Sequence, residues 1–286
     1  MMQIVSSPEE MRRIAQQVRQ EGKTIGFVPT MGYLHEGHLS LVQKAKKASD
    51  FTVVSLFVNP TQFGPQEDLD RYPRDFQRDR ELLENELVDL LFAPEKSALY
   101  PEGFSTVVRV EGLTDRLCGQ SRPWHFGGVT LIVCKLFHLV QPQAAWFGQK
   151  DYQQCQVIRR MVRDLDFGIQ IHVCPIIRES DGLAMSSRNR YLQPEERKQA
   201  PVLVRSLAAA NQIFLEGERS AARLVSAIHS TLARSPEARI DYVEVVDAES
   251  LEPIETVVNP AVAMIAVYFG QTRLIDNHIL GEDLSY

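Results

Sequence analysis

The chain has 286 residues, 44% of them hydrophobic and 24% charged, which suffices for one large or two modest domains with a sizeable core. Its net charge of −6 argues against a nucleic-acid partner, which needs a basic surface, but leaves room for a local basic pocket. No apolar run reaches membrane-spanning length and no secretory signal opens the sequence. We therefore expect a cytoplasmic protein without a membrane partner.

The four cysteines are far apart in the sequence and show none of the close pairing that is typical of zinc sites. We therefore expect no zinc site built from them. In a cytoplasmic protein such residues are reduced thiols, and here they are predicted to be core residues. They are Cys118, Cys134, Cys155 and Cys174.

The first two-thirds of the chain alternate short apolar runs with helical patterns. Ser7 and Pro8 predict the start of a helix over 8–21, because serine caps helices and proline suits the first helical position. Further helices are predicted at 37–48, 74–86, 127–140 and 151–165, and strands at 24–30, 51–58, 88–93, 144–148 and 169–177. The run 127–140 is apolar nearly all round, and its length favours a helix over two strands.

Apolar strands that alternate with helices predict a parallel sheet covered on both faces, with ligands bound beyond the carboxyl ends of the strands. After about residue 188 the composition changes, and helices predicted over 194–217 and 220–234 precede strands over 240–248, 261–270 and 273–280. That order is typical of an α+β domain. We therefore expect an α/β protein with a Rossmann-like doubly wound parallel sheet domain (1–188) and a smaller C-terminal α+β domain (189–286).

The stretch PTMGYLHEGHLSLV (29–42) places two histidines between a predicted strand and a predicted helix. Gly32 and Gly37 let the backbone approach a ligand, and a helix start near Gly37 favours an anion. His35 and His38 can both donate hydrogen bonds to phosphate oxygens, although an isolated pair would more often cap a helix or lie on the surface. After a strand, the HxGH pattern resembles that of nucleotidyltransferases and class I aminoacyl-tRNA synthetases, which react at the α-phosphate of a nucleoside triphosphate.

Two later stretches can supply positive charge for the other phosphates. In FGQKDYQQ (147–154), Lys150 is a compact charge suited to a triphosphate, and Asp151 either caps the next helix or helps to hold Mg²⁺. In GLAMSSRNRYL (182–192), the run from Met185 to Arg188 resembles the mobile KMSKS loop of class I synthetases, with Ala184 at its first basic position. A polar linker between domains is the alternative interpretation of this second stretch.

Two loops carry candidate groups for a small polar substrate. Gln62 in FVNPTQFGP (57–65) can donate and accept hydrogen bonds through its amide, or can be a simple turn residue beside Pro60. In RPWHFGGV (122–129), Arg122 and His125 fit a substrate site as well as they fit a loop anchored by aromatic residues.

Six segments together resemble the pantoate–β-alanine ligase family in sequence and in order, and they span almost the whole chain. They are VPTMGYLHEGHLSLV, SLFVNPTQFGPQEDLDRYPRD, RPWHFGGV, FGQKDYQQC, DGLAMSSRNRYL and TRLIDN. Ala184 is usual in this family, whereas Trp124 and Gly127 depart from it. The resemblance implies ATP-dependent condensation of (R)-pantoate with β-alanine, giving pantothenate, AMP and diphosphate through an enzyme-bound pantoyl adenylate. It also implies a magnesium-dependent homodimer that serves coenzyme A biosynthesis, with these small molecules as substrates.

The resemblance also assigns residues by their position in the motifs. It implies catalytic roles for His35, His38 and Lys150, with His38 as the proton donor. ATP is expected to be bound by Pro29, Met31, Gly32, Leu34, His35, Gly37, His38, Gly148, Gln149, Lys150, Asp151, Ile177, Met185, Ser186, Ser187 and Arg188. Pantoate and β-alanine are expected at Gln62, Gln154, Arg122 and His125, and Mg²⁺ at Asp151 and Asp79.

Three other functions are alternatives. Another HxGH nucleotidyltransferase would join the nucleotide to a phosphorylated substrate and stop, and the site chemistry alone does not exclude it. A non-catalytic nucleotide-sensing module is disfavoured because both histidines, Lys150 and the Ser-Ser-Arg run are present. A tRNA-binding synthetase remnant is disfavoured by the acidic charge balance and by a C-terminal region without a basic stripe.

Overall fold

The computed structural model describes residues 2–65 and 67–284. The chain forms two compact units, the first made of Met1–Gly148 and Val157–Pro175, and the second of Gln149–Gln156 and Ile176–Tyr286. The chain thus leaves the first unit at Pro175, earlier than the expected domain boundary after residue 188. That boundary stays a prediction.

A parallel sheet of six strands lies at the centre of the first unit. Its strands are β1 (Gln3–Val5), β2 (Ile25–Thr30), β3 (Phe51–Leu56), β4 (Leu90–Phe92), β5 (Ala144–Gly148) and β6 (Gln170–Cys174). They are arranged in the order β1-β4-β3-β2-β5-β6, and all the described pairings between them are parallel. The predicted doubly wound parallel sheet is confirmed. Strand β1 was not predicted, because three residues are too few for a periodic pattern.

Helices link these strands and cover the sheet. They are α1 (Pro8–Gln20), α2 (Glu36–Ala48), α3 (Phe76–Asn85), α4 (Lys96–Leu99), α5 (Cys118–Ser121), α6 (His125–Val140) and α7 (Tyr152–Asp164), the first turn of α7 being grouped with the second unit. Ser7 caps α1, as predicted, by accepting the Glu10 N–H. Helix α6 confirms that the apolar run at 127–140 is helical, and its Phe137 ring packs edge-on against Phe27 of β2.

The core of the first unit lies on both faces of the sheet. Neighbouring residues of a strand point to opposite faces, and Phe27 and Val28 are both fully buried. Buried thiols at Cys118, Cys155 and Cys174 agree with the expected core positions, while Cys134 on α6 is partly exposed. Among the described residues, no helix is long and apolar enough to cross a membrane.

The larger part of the second unit consists of short helices followed by an antiparallel sheet. Its helices are α8 (Pro194–Gln199), α9 (Val202–Leu215) and α10 (Ala221–Leu232), and its strands are β7 (Ala238–Asp247), β8 (Ala261–Phe269) and β9 (Thr272–Ile279), in the order β7-β8-β9. The predicted α+β character is confirmed. The single helix predicted over 194–217 is wrong: two helices are separated at Ala200 and Pro201, because proline lacks an N–H and its ring obstructs the preceding turn.

Candidate functional site

The segment Pro29–His38, here called the histidine turn, connects β2 to α2 at the carboxyl edge of the sheet. Strands β2 and β5 are neighbours although they are far apart in sequence, so the strand order reverses beside this turn. Open α/β sheets bind ligands at such a reversal. The backbone turns sharply there, with φ of 85° at Gly32 and 51° at Tyr33. Thr30 Oγ1 accepts the Gly32 N–H at 3.1 Å and fixes the start of the turn.

A buried carboxylate on α3 holds the histidine turn in place. Asp79, which is 2% exposed, accepts the N–H of Tyr33 through Oδ2 at 2.6 Å and that of Leu34 through Oδ1 at 2.7 Å. Burial raises the pKa of Asp79, and the two backbone hydrogen bonds oppose that rise. Because both oxygens are engaged inside the protein, Asp79 fits a structural role better than a metal ligand. Its expected contact with Mg²⁺ stays a prediction.

The two histidines cap helix α2 together. His35 is the N-cap residue and accepts the Gly37 N–H through Nδ1 at 3.2 Å, while His38 accepts the His35 N–H through Nδ1 at 3.4 Å. A neutral imidazole that accepts through Nδ1 carries its proton on Nε2, so each ring is a donor at Nε2. The ring centroids are 4.1 Å apart. Capping and phosphate binding are therefore compatible, because capping uses the Nδ1 atoms and phosphate binding would use the Nε2 atoms.

The segment Asn59–Gln62, here called the glutamine turn, follows β3. Its two amides are buried, and Asn59 donates through Nδ2 to Gln62 Oε1 at 3.1 Å and to the Gly128 carbonyl at 3.0 Å. A side chain at Gly128 would collide with the turn, so α6 packs directly against it. Gln62 Nε2 lies 3.1 Å from Met31 Sδ, a weak acceptor. Gln62 is thus a positioned, buried amide whose donor has a weak partner.

Arg122 and His125 support the glutamine turn through the backbone of Gln62. The Gln62 carbonyl accepts from Arg122 Nη2 at 3.2 Å and lies 3.0 Å from His125 Nδ1. Arg122 also forms a two-pronged ion pair with Glu67, with Nε 2.8 Å from Oε1. Burial alone would raise the pKa of Glu67, but the hydrogen bonds and charge of Arg122 outweigh it and lower that pKa. The structure brings these predicted residues together, and their contact with substrate stays a prediction.

In the second unit, Gln149–Asp151 forms a single 3₁₀ turn, here called the lysine turn, between β5 and α7. Lys150 Nζ lies 3.5 Å from Asp151 Oδ2, and the two side chains are 21% and 46% exposed. Gln154 follows on the first turn of α7 and is partly exposed. The accessible carboxylate of Asp151 fits Mg²⁺, which takes one or two carboxylates together with phosphate and water oxygens. Within residues 2–65 and 67–284, no group of three or more His, Cys, Asp and Glu side chains could hold a metal.

The predicted adenosine and phosphate residues after β6 form one local structure of the second unit. The Met185 N–H donates to the Ile177 carbonyl at 2.9 Å, and Arg178 pairs with Ala184 across an antiparallel bridge. We call residues 177–185 the adenosine hairpin. Ser186 then caps a short 3₁₀ helix by accepting the Arg188 N–H through Oγ at 3.3 Å. Because this stretch lies within the second unit, it is not a linker between the two units.

Two supporting asparagines were not predicted as site residues. Asn59 holds Gln62, and Asn277 on β9 donates through Nδ2 to the carbonyls of Gln149 at 2.9 Å and Lys150 at 3.0 Å. Both asparagines lie inside motifs that the sequence analysis quotes. One sequence signal could have identified them: each is an amide residue at the end of, or within, an otherwise apolar strand. A buried amide at such a position needs hydrogen-bond partners, which indicates a supporting role.

Comparison with known proteins identifies similar chains over almost the full length. A sequence model of the family described as pantoate-beta-alanine ligase matches residues 3–279. The chain is 56% identical over 280 residues to the pantothenate synthetase of Thermotoga neapolitana, covering 98% of this chain and all of that one. It is 52% identical to the pantothenate synthetase of Moorella thermoacetica over 279 residues, covering 98% and 99% of the two chains.

Comparison with solved structures also identifies pantothenate synthetases as similar proteins. The pantothenate synthetase of Thermus thermophilus is 51% identical, with a TM-score of 0.93 and coverage of 98% of this chain and 99% of that one. The pantoate-beta-alanine ligase of Francisella tularensis, solved in complex with beta-gamma ATP and beta-alanine, is 33% identical with a TM-score of 0.80 over the whole of both chains.

Proposed function

The chain belongs to the pantoate–β-alanine ligase family, and we propose that it joins (R)-pantoate to β-alanine in two steps through an enzyme-bound pantoyl adenylate. It is an ATP-dependent ligase of pantothenate biosynthesis. The observation that carries the adenylate-forming step is the double histidine cap, which orients two Nε2 donors where the strand order reverses. The amide-forming step rests on the family to which the chain belongs. We further propose that the enzyme is a homodimer, as its resemblance to the family implies, and that it is cytoplasmic, as the cysteine pattern of the sequence predicts.

The first step transfers the adenylyl group. A carboxylate oxygen of pantoate attacks the α-phosphorus of ATP, the bond from that phosphorus to the oxygen bridging to the β-phosphate breaks, and diphosphate leaves. In the second step the β-alanine amine attacks the acyl carbon, AMP leaves with the former carboxylate oxygen, and the amine loses a proton. Neither step needs a covalent intermediate on the enzyme, so catalysis depends on positioning and charge stabilisation.

His35 and His38 act on the charge that develops as diphosphate leaves. Their Nδ1 atoms are held by backbone N–H groups, so the rings are oriented before substrate binds. Preorganised donors of this kind stabilise a transition state without rearranging during the reaction. We assign to His38 Nε2 a hydrogen bond to the oxygen that leaves with diphosphate, while transfer of a proton by His38 stays an expectation from the family resemblance.

The remaining ATP contacts are assigned by family resemblance. Lys150, Ser186, Ser187 and Arg188 bind the β- and γ-phosphates, and the backbones of Met31, Gly148 and Ile177 line the adenosine. Asp151 would hold Mg²⁺, which when bound neutralises phosphate charge. The exposed carboxylate of Asp151 supports that assignment.

Gln62 and Gln154 bind the hydroxyls and the carboxylate of pantoate in this proposal. Gln62 is the better supported of the two, because its amide is buried and fixed by Asn59 while its Nε2 donor has only a thioether as its described partner. Arg122 and His125 both contact the backbone carbonyl of Gln62. In this proposal they affect substrate binding by fixing the position of Gln62, in addition to any contact of their own with the substrate.

Incubation of the purified protein with ATP, (R)-pantoate and β-alanine tests this function. We expect pantothenate, AMP and diphosphate in equal amounts, measured by chromatography, and no pantothenate when any one substrate is omitted. ADP and phosphate as products would contradict the adenylate intermediate. Absence of both AMP and pantothenate from the complete mixture would contradict the proposal and favour the nucleotidyltransferase alternative, whose phosphorylated substrate the mixture lacks.

A further inference from the structure

The motif TRLIDN near the end of the chain has no role in the chemistry described so far. Two of its side chains, Asp276 and Asn277, lie on β9 and are each 2% exposed. A buried carboxylate and a buried amide are costly unless they are fully hydrogen-bonded. Their partners therefore indicate what these two residues do.

Asn277 is bonded to the lysine turn. Its Nδ2 donates to two consecutive carbonyls, Gln149 O at 2.9 Å and Lys150 O at 3.0 Å, and its Oδ1 lies 3.5 Å from Gln149 Nε2. Both hydrogens of the amide nitrogen are thus used on the turn that carries Lys150. A 3₁₀ turn of three residues has few internal hydrogen bonds with which to hold its own shape.

Asp276 is bonded to the adenosine hairpin. Its carboxylate forms a buried, bidentate ion pair with Arg178, at 2.7 Å from Nη1 to Oδ2 and 3.1 Å from Nη2 to Oδ1. Asp276 Oδ1 also accepts the backbone N–H of Asn277 at 2.8 Å. Arg178 lies next to Ile177 and donates to the Gly182 carbonyl at 3.1 Å, so the ion pair is connected to both the start and the turn of the hairpin.

We propose that Asp276 and Asn277 are positioning residues that hold the lysine turn and the adenosine hairpin in one fixed arrangement. The proposal rests on the proposed roles of Lys150 and Ile177 in ATP binding. Two adjacent residues of one strand bond to two segments that are separated in the sequence by α7 and β6. An error of about 1 Å in placing a reacting group can cost on the order of 100-fold in rate. Antiparallel strand β9 would thereby contribute to catalysis without touching substrate.

Asn277→Ala tests the proposal, with Asn211→Ala as the matched control. Asn211 lies in the same unit and is 6% exposed. Like Asn277, it forms side-chain hydrogen bonds to backbone groups: its Nδ2 donates to Glu282 O at 3.0 Å and its Oδ1 accepts the Gly281 N–H at 2.8 Å. We expect Asn277→Ala to lower kcat for pantoyl adenylate formation by about 10- to 100-fold, with KM for pantoate nearly unchanged. Asn211→Ala, which should lose comparable stability, is expected to keep the wild-type kcat.

A double-mutant cycle distinguishes positioning of Lys150 from a general loss of structure. If Asn277 acts through Lys150, Asn277→Ala in the Lys150→Ala background should change kcat by less than about twofold, because the group it places is gone. An equal loss of kcat in both backgrounds, or the same loss in Asn211→Ala, would overturn the proposal. If Asn277→Ala does not fold, Asn277→Ser keeps one donor and is measured in the same way. Absence of AMP formation by the wild-type protein would refute the proposed function itself, a separate result.

Discussion

His38→Ala lowers the rate of pantoyl adenylate formation by about 100- to 1000-fold and leaves ATP affinity within a few-fold of the wild type. The reason is that His38 Nε2 stabilises the negative charge that develops on the oxygen between the α- and β-phosphorus atoms as diphosphate departs. In bound ATP, before the bond breaks, that oxygen carries little of this charge. Single-turnover kinetics with ATP and pantoate, together with calorimetric titration of ATP, measure the two quantities separately.

A matched pair of variants separates the chemical role of His38 from its capping role. In the wild type, the His35 nitrogen lies 3.4 Å from His38 Nδ1. In His38→Asn, the side-chain oxygen can take the place of Nδ1 and accept this N–H, but the Nε2 donor is lost. In His38→Gln, the amide nitrogen can take the place of Nε2 while the cap is weakened. We expect His38→Asn to be stable and slow, and His38→Gln to be the faster of the two. Wild-type adenylation by His38→Asn would show that the Nε2 donor does not take part.

Gln62→Ala weakens pantoate binding by roughly 1–3 kcal/mol for each substrate group left unpaired. This corresponds to an increase of about 5- to 150-fold in Kd for one group. ATP binding should be retained, because the amide of Gln62 is assigned to pantoate alone. Separate titrations of pantoate and ATP, monitored by calorimetry, measure both affinities. We expect Gln154→Ala to show the same pattern if its partly exposed amide also contacts pantoate.

Gln143→Ala is the control for Gln62→Ala within the same unit. Gln143 accepts the Ile25 N–H through Oε1 at 2.6 Å, at the amino end of β2, which is the sheet edge opposite the histidine turn. It should change the free energy of unfolding without changing pantoate affinity. Normal pantoate binding by Gln62→Ala, or an equal loss in Gln143→Ala, would remove Gln62 from the substrate site.

The local features of the fold were predictable from the sequence, because periodicity and capping act over a few residues. Ser7 and Pro8 correctly predicted the start of α1, and the alternation of strands and helices predicted the parallel sheet. The break before α9 was missed even though Pro201 signals it, since the apolar pattern continues through the proline. Strand β1 was missed because of its length.

The supporting contacts of the site were not predictable in the same way. Asp79 lies 45 positions after Leu34, to which it is hydrogen-bonded, and Asn277 lies 127 positions after Lys150. Only the folded chain brings such pairs together, and no spacing rule in a single sequence identifies them. The sequence also presented capping and phosphate binding by His35 and His38 as competing interpretations. The structure shows that the two ring nitrogens can serve different partners.

The exchange of labelled diphosphate into ATP tests the central claim most directly. If pantoate is adenylated before β-alanine reacts, label should enter ATP when pantoate is present and β-alanine is absent, and it should not enter when pantoate is omitted. Exchange should also decline in His38→Ala, in parallel with its rate of adenylation. Exchange that requires β-alanine would contradict the pantoyl adenylate intermediate and the order of steps proposed for this ligase.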